Sequence, residues 1–163
     1  MKRLLVVLVI LPFSTLQAQD FYRHSNGITI VCDAASVGDT GSVGGVTYTK
    51  RTKAQITTSN ASTTCTSGIT DMSELFENPP NLWNEDISTW DVSDVTNMKE
   101  MFYGAAYFNK DITYWDVSNV IDMDSMFYYS LNFNQPLNNW NISNVETMEE
   151  MFCTAESFNQ SLN

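Results

Sequence analysis

The chain has 163 residues, with 8 Lys and Arg against 19 Asp and Glu, for a formal net charge of −11 at pH 7. That charge repels phosphate backbones, so nucleic acid is set aside as a partner. Its length suits one ordinary domain or a short repeat array, and a lone histidine, His24, offers no partner spacing for a nucleophile or a zinc site.

The first element is Lys2 and Arg3 followed by an apolar run from Leu4 to Leu11 and then Leu16-Gln17-Ala18. This pattern predicts a secretory signal peptide over residues 1–18. The apolar run is about half the ~20 residues of a spanning helix, so the mature chain is expected to have no transmembrane segment. The expected destination is the medium or a bacterial cell surface.

Residues 19–68 form a leader of different texture, with β-rich stretches at Ile28 to Cys32 and Gly45 to Lys50 between Gly, Asp, Ser and Asn. It carries four basic residues against three acidic ones, whereas residues 69–163 carry two against sixteen. Export makes a disulfide between Cys32 and Cys65 the expectation, the alternative being two buried free thiols. Closing that loop would stabilise the fold by roughly 3 to 4 kcal/mol on the chain-entropy estimate. Cys153 is left over, either at a variable, semi-exposed site or in an intermolecular bridge.

From residue 69 the chain repeats. WDVSDVTNMKEMF (90–102), WDVSNVIDMDSMF (115–127) and WNISNVETMEEMF (140–152) recur at an interval of twenty-five. Ile87, Trp90, Val92 and Val95 follow the strand spacing of a leucine-rich repeat, with Trp in one Leu slot. Val95, Met98, Met101 and Phe102 then fall at the spacing of a helical stripe. Asp71, Asn97, Asp122 and Thr147 stand before that stripe, and Glu74, Glu100, Ser125 and Glu150 follow three residues later, mostly as capping-box-like pairs. The sequence therefore predicts an α/β solenoid of about four leucine-rich-repeat-like units, each a strand plus a short helix, covered at one end by the β-rich leader. Its core would comprise Trp90, Trp115 and Trp140, with Met101, Met126, Met151, Phe102, Phe127 and Phe152. Asn84, Asn109, Asn134 and Asn159 would align into an amide ladder. The period would place the next Trp two residues beyond Asn163, so the sequence is expected to be a fragment of a longer product.

At the level of WDVSNV…M…MF…FNQ, residues 69–163 resemble the BspA-type leucine-rich-repeat surface proteins of bacteria, whose repeat of this length also goes under the description of a domain of unknown function. The leader segments NGITIVC and TTCTSGITDM resemble the portion that precedes such repeats. The resemblance implies export, surface display and adhesion or partner binding, often with a C-terminal sorting domain that this sequence lacks. Val95, Val120 and Val145 stand where the usual leucine-rich repeat has Asn or Cys.

Candidate contact residues are Tyr103, Tyr107, Tyr114, Tyr128 and Tyr129, which sit where the copies vary. Asp91, Asp94 and Asp116 form oxygen-rich columns that could hold Ca²⁺, although turn-forming hydrogen bonds are the plainer role for them. The expected function is non-enzymatic binding of a protein or a cell-surface component. Two alternatives stand beside it: a Ca-dependent carbohydrate-binding module, and a non-catalytic piece of a secreted polysaccharide-active enzyme.

Overall fold

A computed structural model of the protein describes residues 20–80 and 82–161. The expected signal peptide lies outside these residues.

In the leader, β1 (Tyr22–Arg23) and β2 (Ile30–Val31) pair antiparallel. Asn26 tightens the connection between them, its Oδ1 accepting the N–H groups of Ile28 and Thr29 at 2.9 and 3.0 Å. β3 (Thr40–Val43) and β4 (Val46–Lys50) form a hairpin. Its loop is Gly44-Gly45, both at positive φ (62° and 84°), the backbone that a two-residue hairpin turn of this hand requires. β5 (Thr64–Cys65) joins the other side of β4 in parallel. A disulfide links Cys32 to Cys65 across 6.3 Å between Cα atoms. Both half-cystines are fully buried in a small core with Phe21, Ile30, Ala35 and Tyr48. The leader also reaches the repeats, since Ile30 N–H donates to Thr89 O at 2.8 Å and Ile56 and Ala61 belong to the main core.

The expected α/β solenoid of strands and short helices is overturned. Among the described residues there is no α-helix, and the regular strands lie in two small sheets confined to the leader. The repeat region consists of tight turns, with isolated parallel bridges joining Asp71 to Asn97, Asn97 to Asp122 and Asp122 to Thr147. The reason is visible at the supposed helix starts. Glu74, Glu100, Ser125 and Glu150 all adopt positive φ, between 52° and 57°, and a left-handed residue stops a right-handed helix. The supposed cap residues instead close Asx turns: Asp71, Asn97 and Asp122 each accept the N–H two residues on, at 2.9 to 3.0 Å. Successive three-residue turns such as Met101 N–H to Met98 O then bury every third residue, which imitates a helical stripe.

Neighbouring copies are joined by a ladder of main-chain hydrogen bonds. The N–H groups of Met72, Glu74, Phe76 and Asn78 donate to the carbonyls of Asn97, Lys99, Met101 and Tyr103 at 2.7 to 2.9 Å. Met98, Glu100, Phe102 and Gly104 repeat this onto Asp122, Asp124, Met126 and Tyr128, and Met123, Ser125, Phe127 and Tyr129 onto Thr147, Glu149, Met151 and Cys153. In these rows the donor lies on the earlier copy and the acceptor on the later one, while just before each row Thr96, Ile121 and Glu146 N–H donate the other way, to Thr70 O, Thr96 O and Ile121 O at 2.8 Å. Inside, rings stack in columns. Phe76, Phe102, Phe127 and Phe152 follow one another at 6.0, 5.4 and 5.6 Å between centroids, and Trp83, Phe108, Phe133 and Phe158 at 5.3, 6.0 and 6.0 Å. Full burial of such a side chain stabilises by about 1.5 to 3 kcal/mol, so these columns dominate the cohesion of the repeats.

Candidate functional site

The repeat-defining residues build the interior. Trp90, Trp115 and Trp140 are buried, and the last two donate their indole N–H groups to Ile87 O and Ile112 O of the preceding copy at 3.2 and 3.1 Å. Trp90 makes the same bond to Ala61 O of the leader at 2.9 Å, so residues near Ala61 act as the copy below the first. Met101, Met126, Met151, Phe102 and Phe127 are buried, whereas Phe152 is half-buried. In the asparagine column, the Oδ1 atoms of Asn84, Asn109 and Asn134 accept the backbone N–H groups of Asn109, Asn134 and Asn159 at 2.9, 3.0 and 3.1 Å. The asparagine rungs therefore run from backbone N–H to side-chain oxygen, and the Gln135 and Gln160 amides add a second donor to the Oδ1 atoms of Asn109 and Asn134 at 2.9 and 2.8 Å.

Of the five tyrosines, the structure gathers three. Tyr103 stacks on Tyr128 at 4.9 Å with the rings parallel to within 1°, and Tyr129 leans on Tyr128 at 4.9 Å and 59°. Cys153, an exposed free thiol, occupies the next position of that column. The Cys153 side chain, as a hydrogen-bond partner and through its charge, holds the Tyr128 phenol above its ordinary pKa. Tyr107 is exposed but stacks on no ring among the described residues.

Tyr114 stands elsewhere, in a cleft of about 250 Å³ between the leader and the repeats. Asp91 and Asp116 of the repeats line that cleft together with Tyr22, His24 and Asp33 of the leader. Asp91 is buried and occupied: it accepts the Ser67 hydroxyl at 2.6 Å and the Ser93 hydroxyl at 2.7 Å. The Asp116 carboxylate accepts Ser118 N–H at 3.1 Å in an Asx turn. Asp94 lies in a different groove with Asn119, Asn144 and Glu146. The three aspartates thus do not converge, and no group of three or more acidic, His or Cys side chains placed to hold a metal ion exists among the described residues. Tyr22 and Asp33 escape a reading based on repeats because the leader is not repeated. The Lys53 ammonium marks the boundary, 3.3 Å from Asp71. Partial burial pushes the Asp71 carboxyl up, but hydrogen bonds from Ser73 and Lys53 outweigh it and leave its pKa below the ordinary value of 3.8.

These features define a repeat protein whose interior is filled by its own side chains and whose exposed columns and cleft are what remain for contact. Residues 47–163 match the family described as Mycoplasma protein of unknown function, DUF285, and the chain belongs to that family. The match begins inside β4, so the second half of the leader is part of the family unit along with the repeats. No curated protein and no solved structure matches the chain. No helix among the described residues is long and apolar enough to cross a membrane.

Proposed function

We propose that the chain is a non-enzymatic protein displayed outside the cytoplasm, which binds another protein or a surface component through residues that differ between its repeats. The stacked Tyr103–Tyr128 pair with Tyr129 beside it carries this reading. Rigid, half-exposed aromatic rings give large contact area at little entropic cost, which is why tyrosine is enriched at protein interfaces. The buried Cys32–Cys65 disulfide supports an oxidising compartment, and the motif-level resemblance to BspA-type surface proteins points to the same location. The test is labelling of intact cells with an impermeant reagent, followed by pull-down with the wild type and with Tyr103→Ser/Tyr128→Ser. Labelled protein and a captured partner lost in the variant support the proposal. Protein protected from the reagent, or capture indifferent to both substitutions, refutes it.

The cleft favours a second reading. Two exposed rings, Tyr22 and Tyr114, stand over carboxylates and an amide, the combination that receives the apolar face and the hydroxyls of a sugar. Calorimetry against a glycan panel, with and without calcium, tests it. Absence of heat with every glycan, or binding that survives Tyr114→Ala, removes it.

A further inference from the structure

The cleft between the leader and the repeats does not end at Tyr114. A second hollow, of about 270 Å³, is lined by Ile28 of the leader and by Asp86, Ser88, Lys110 and Asp111 of the repeats. Tyr114 is the one residue that lines both hollows, so its ring, 52% exposed, stands between them. The repeat side is built from two adjacent copies in register, Asp86 with Asp111 and Asp91 with Asp116. The leader side is tied to it: the Ser67 hydroxyl donates to Asp91 Oδ2 at 2.6 Å while accepting Cys32 N–H at 3.0 Å, and Ile30 N–H donates to Thr89 O at 2.8 Å. Walls fixed in this way lose little binding energy to ordering. Two lining residues are peculiar to one copy. Tyr114 takes the place held by Thr89 and Asn139 in the neighbouring copies, and Lys110 the place held by Glu85 and Gln135. The stack requires neither of them. The half-buried Lys110 has no ion-pair partner among the described residues.

We propose that the two hollows are one groove, which takes a stretch of glycan chain, two or more sugars long and free of acidic groups, running past Tyr114; the inference rests on the sugar reading of the cleft. The Tyr114 ring receives the apolar face of a sugar, and the carboxylates on either side accept its hydroxyl protons. Asp116 spends one oxygen on Ser118 N–H and has the other without a partner among the described residues. Lys110 adds a donor for a sugar oxygen in the second hollow. Charge sets the class. The first hollow has Asp33, Asp91 and Asp116 with no Lys or Arg, and the second sets Asp86 and Asp111 against Lys110 alone, so a uronic or sulfated chain is repelled. A single sugar fills one hollow and leaves the other to water, which makes length part of the recognition. An extended peptide fits less well, because its backbone groups need regularly spaced partners and the lining is an uneven set of carboxylates, hydroxyls and rings.

The experiment titrates the full chain, by calorimetry and ligand-observed NMR, with the monosaccharide and the tetrasaccharide of the β-linked glucose, mannose and N-acetylglucosamine series, beside tetragalacturonate as the acidic chain. The proposal requires one tetrasaccharide to bind about tenfold or more tighter than its own monosaccharide, and tetragalacturonate not to bind. Tyr114→Thr and Lys110→Glu each install the residue of the preceding copy, so the stack should accept both, and melting checks that it does. Tyr114→Thr should weaken binding at every length, whereas Lys110→Glu should erase most of the gain with length. Equal affinity for monosaccharide and tetrasaccharide, or a length gain untouched by Lys110→Glu, overturns the two-hollow groove while the sugar reading of the cleft stands. Tighter binding of tetragalacturonate overturns the assigned class. Silence from every sugar removes the sugar reading itself and this inference with it.

Discussion

The asparagine column lends itself to a quantitative test at Asn109. Its Oδ1 accepts two bonds from the next copy, from Asn134 N–H at 3.0 Å and from Gln135 Nε2 at 2.9 Å. Asn109→Ala removes the acceptor and strands a half-buried backbone N–H, while Gln135 keeps its second bond to Asn109 O at 3.0 Å. One orphaned backbone donor plus one weakened side-chain bond costs about 1 to 2 kcal/mol. For a chain of this length that lowers Tm by roughly 2 to 8 °C. Asn159→Ala is the internal comparison. Among the described residues the Asn159 Oδ1 meets only the Gln160 amide of its own copy, at 3.3 Å, so its loss should stay within about 0.5 kcal/mol. Asn109→Asp keeps an acceptor in place and should recover most of the deficit. Urea unfolding followed by tryptophan fluorescence reads all three, the midpoint shifting at constant slope. Equal losses at Asn109 and Asn159 would refute the argument, because they would show that the cost comes from the residue type and not from the rung.

The remaining predictions concern the disulfide, the left-handed turns and Asp71. Cys32→Ser/Cys65→Ser should cost about 3 to 4 kcal/mol on the loop-entropy estimate, and chemical denaturation of the oxidised and substituted forms checks it. Glu100, at φ 56°, should tolerate glycine with no loss or a gain of up to about 1 kcal/mol, whereas Glu100→Val, β-branched in a left-handed position, should lose about 1 kcal/mol or more. Calorimetric melting of the pair decides it. Asp71 has a folded pKa below the unfolded value, so its contribution is present above pH 3.8 and lost as pH falls through the folded value. Asp71→Asn should therefore reduce the unfolding free energy slightly at pH 7, by no more than about 1 kcal/mol for so exposed a pair, and the gap, read by urea unfolding at both pH values, should close in acid.

Much of the register was legible in the sequence, because a 25-residue interval puts like residues beside like. The buried Trp, Met and Phe positions, the rungs at Asn84, Asn109 and Asn134 and the disulfide partners all follow from spacing or compartment. The local backbone was not legible. An acidic or amide residue followed three positions later by Glu serves a helix cap, but the same Asp71, Asn97 and Asp122 side chains serve an Asx turn equally well. What decides between them is the left-handed backbone at Glu74, Glu100, Ser125 and Glu150, and no glycine announces it there. The helical stripe misleads for a related reason, since a run of three-residue turns also buries Val95, Met98 and Met101. The cleft was hidden differently. Tyr114 and Asp116 were readable as candidates, but Tyr22 and Asp33 reach them only through the path of the leader chain, which no repeated neighbour reveals.

The direction of the ladder also bears on how the chain is made. Synthesis runs from the N-terminus, so the leader, with Ala61 already offering a carbonyl to the first indole, is laid down before the copies that rest on it. Each finished copy then holds out its amide row to residues only about 25 positions further along the chain, and the newcomer answers with carbonyls while its indole N–H reaches back. Each contact of this ladder is thus closed over a loop of about 25 residues, short enough that its entropy is cheaply overcome. The protein can grow one layer at a time upon a template of its own making, with little chance for a distant segment to take the wrong place.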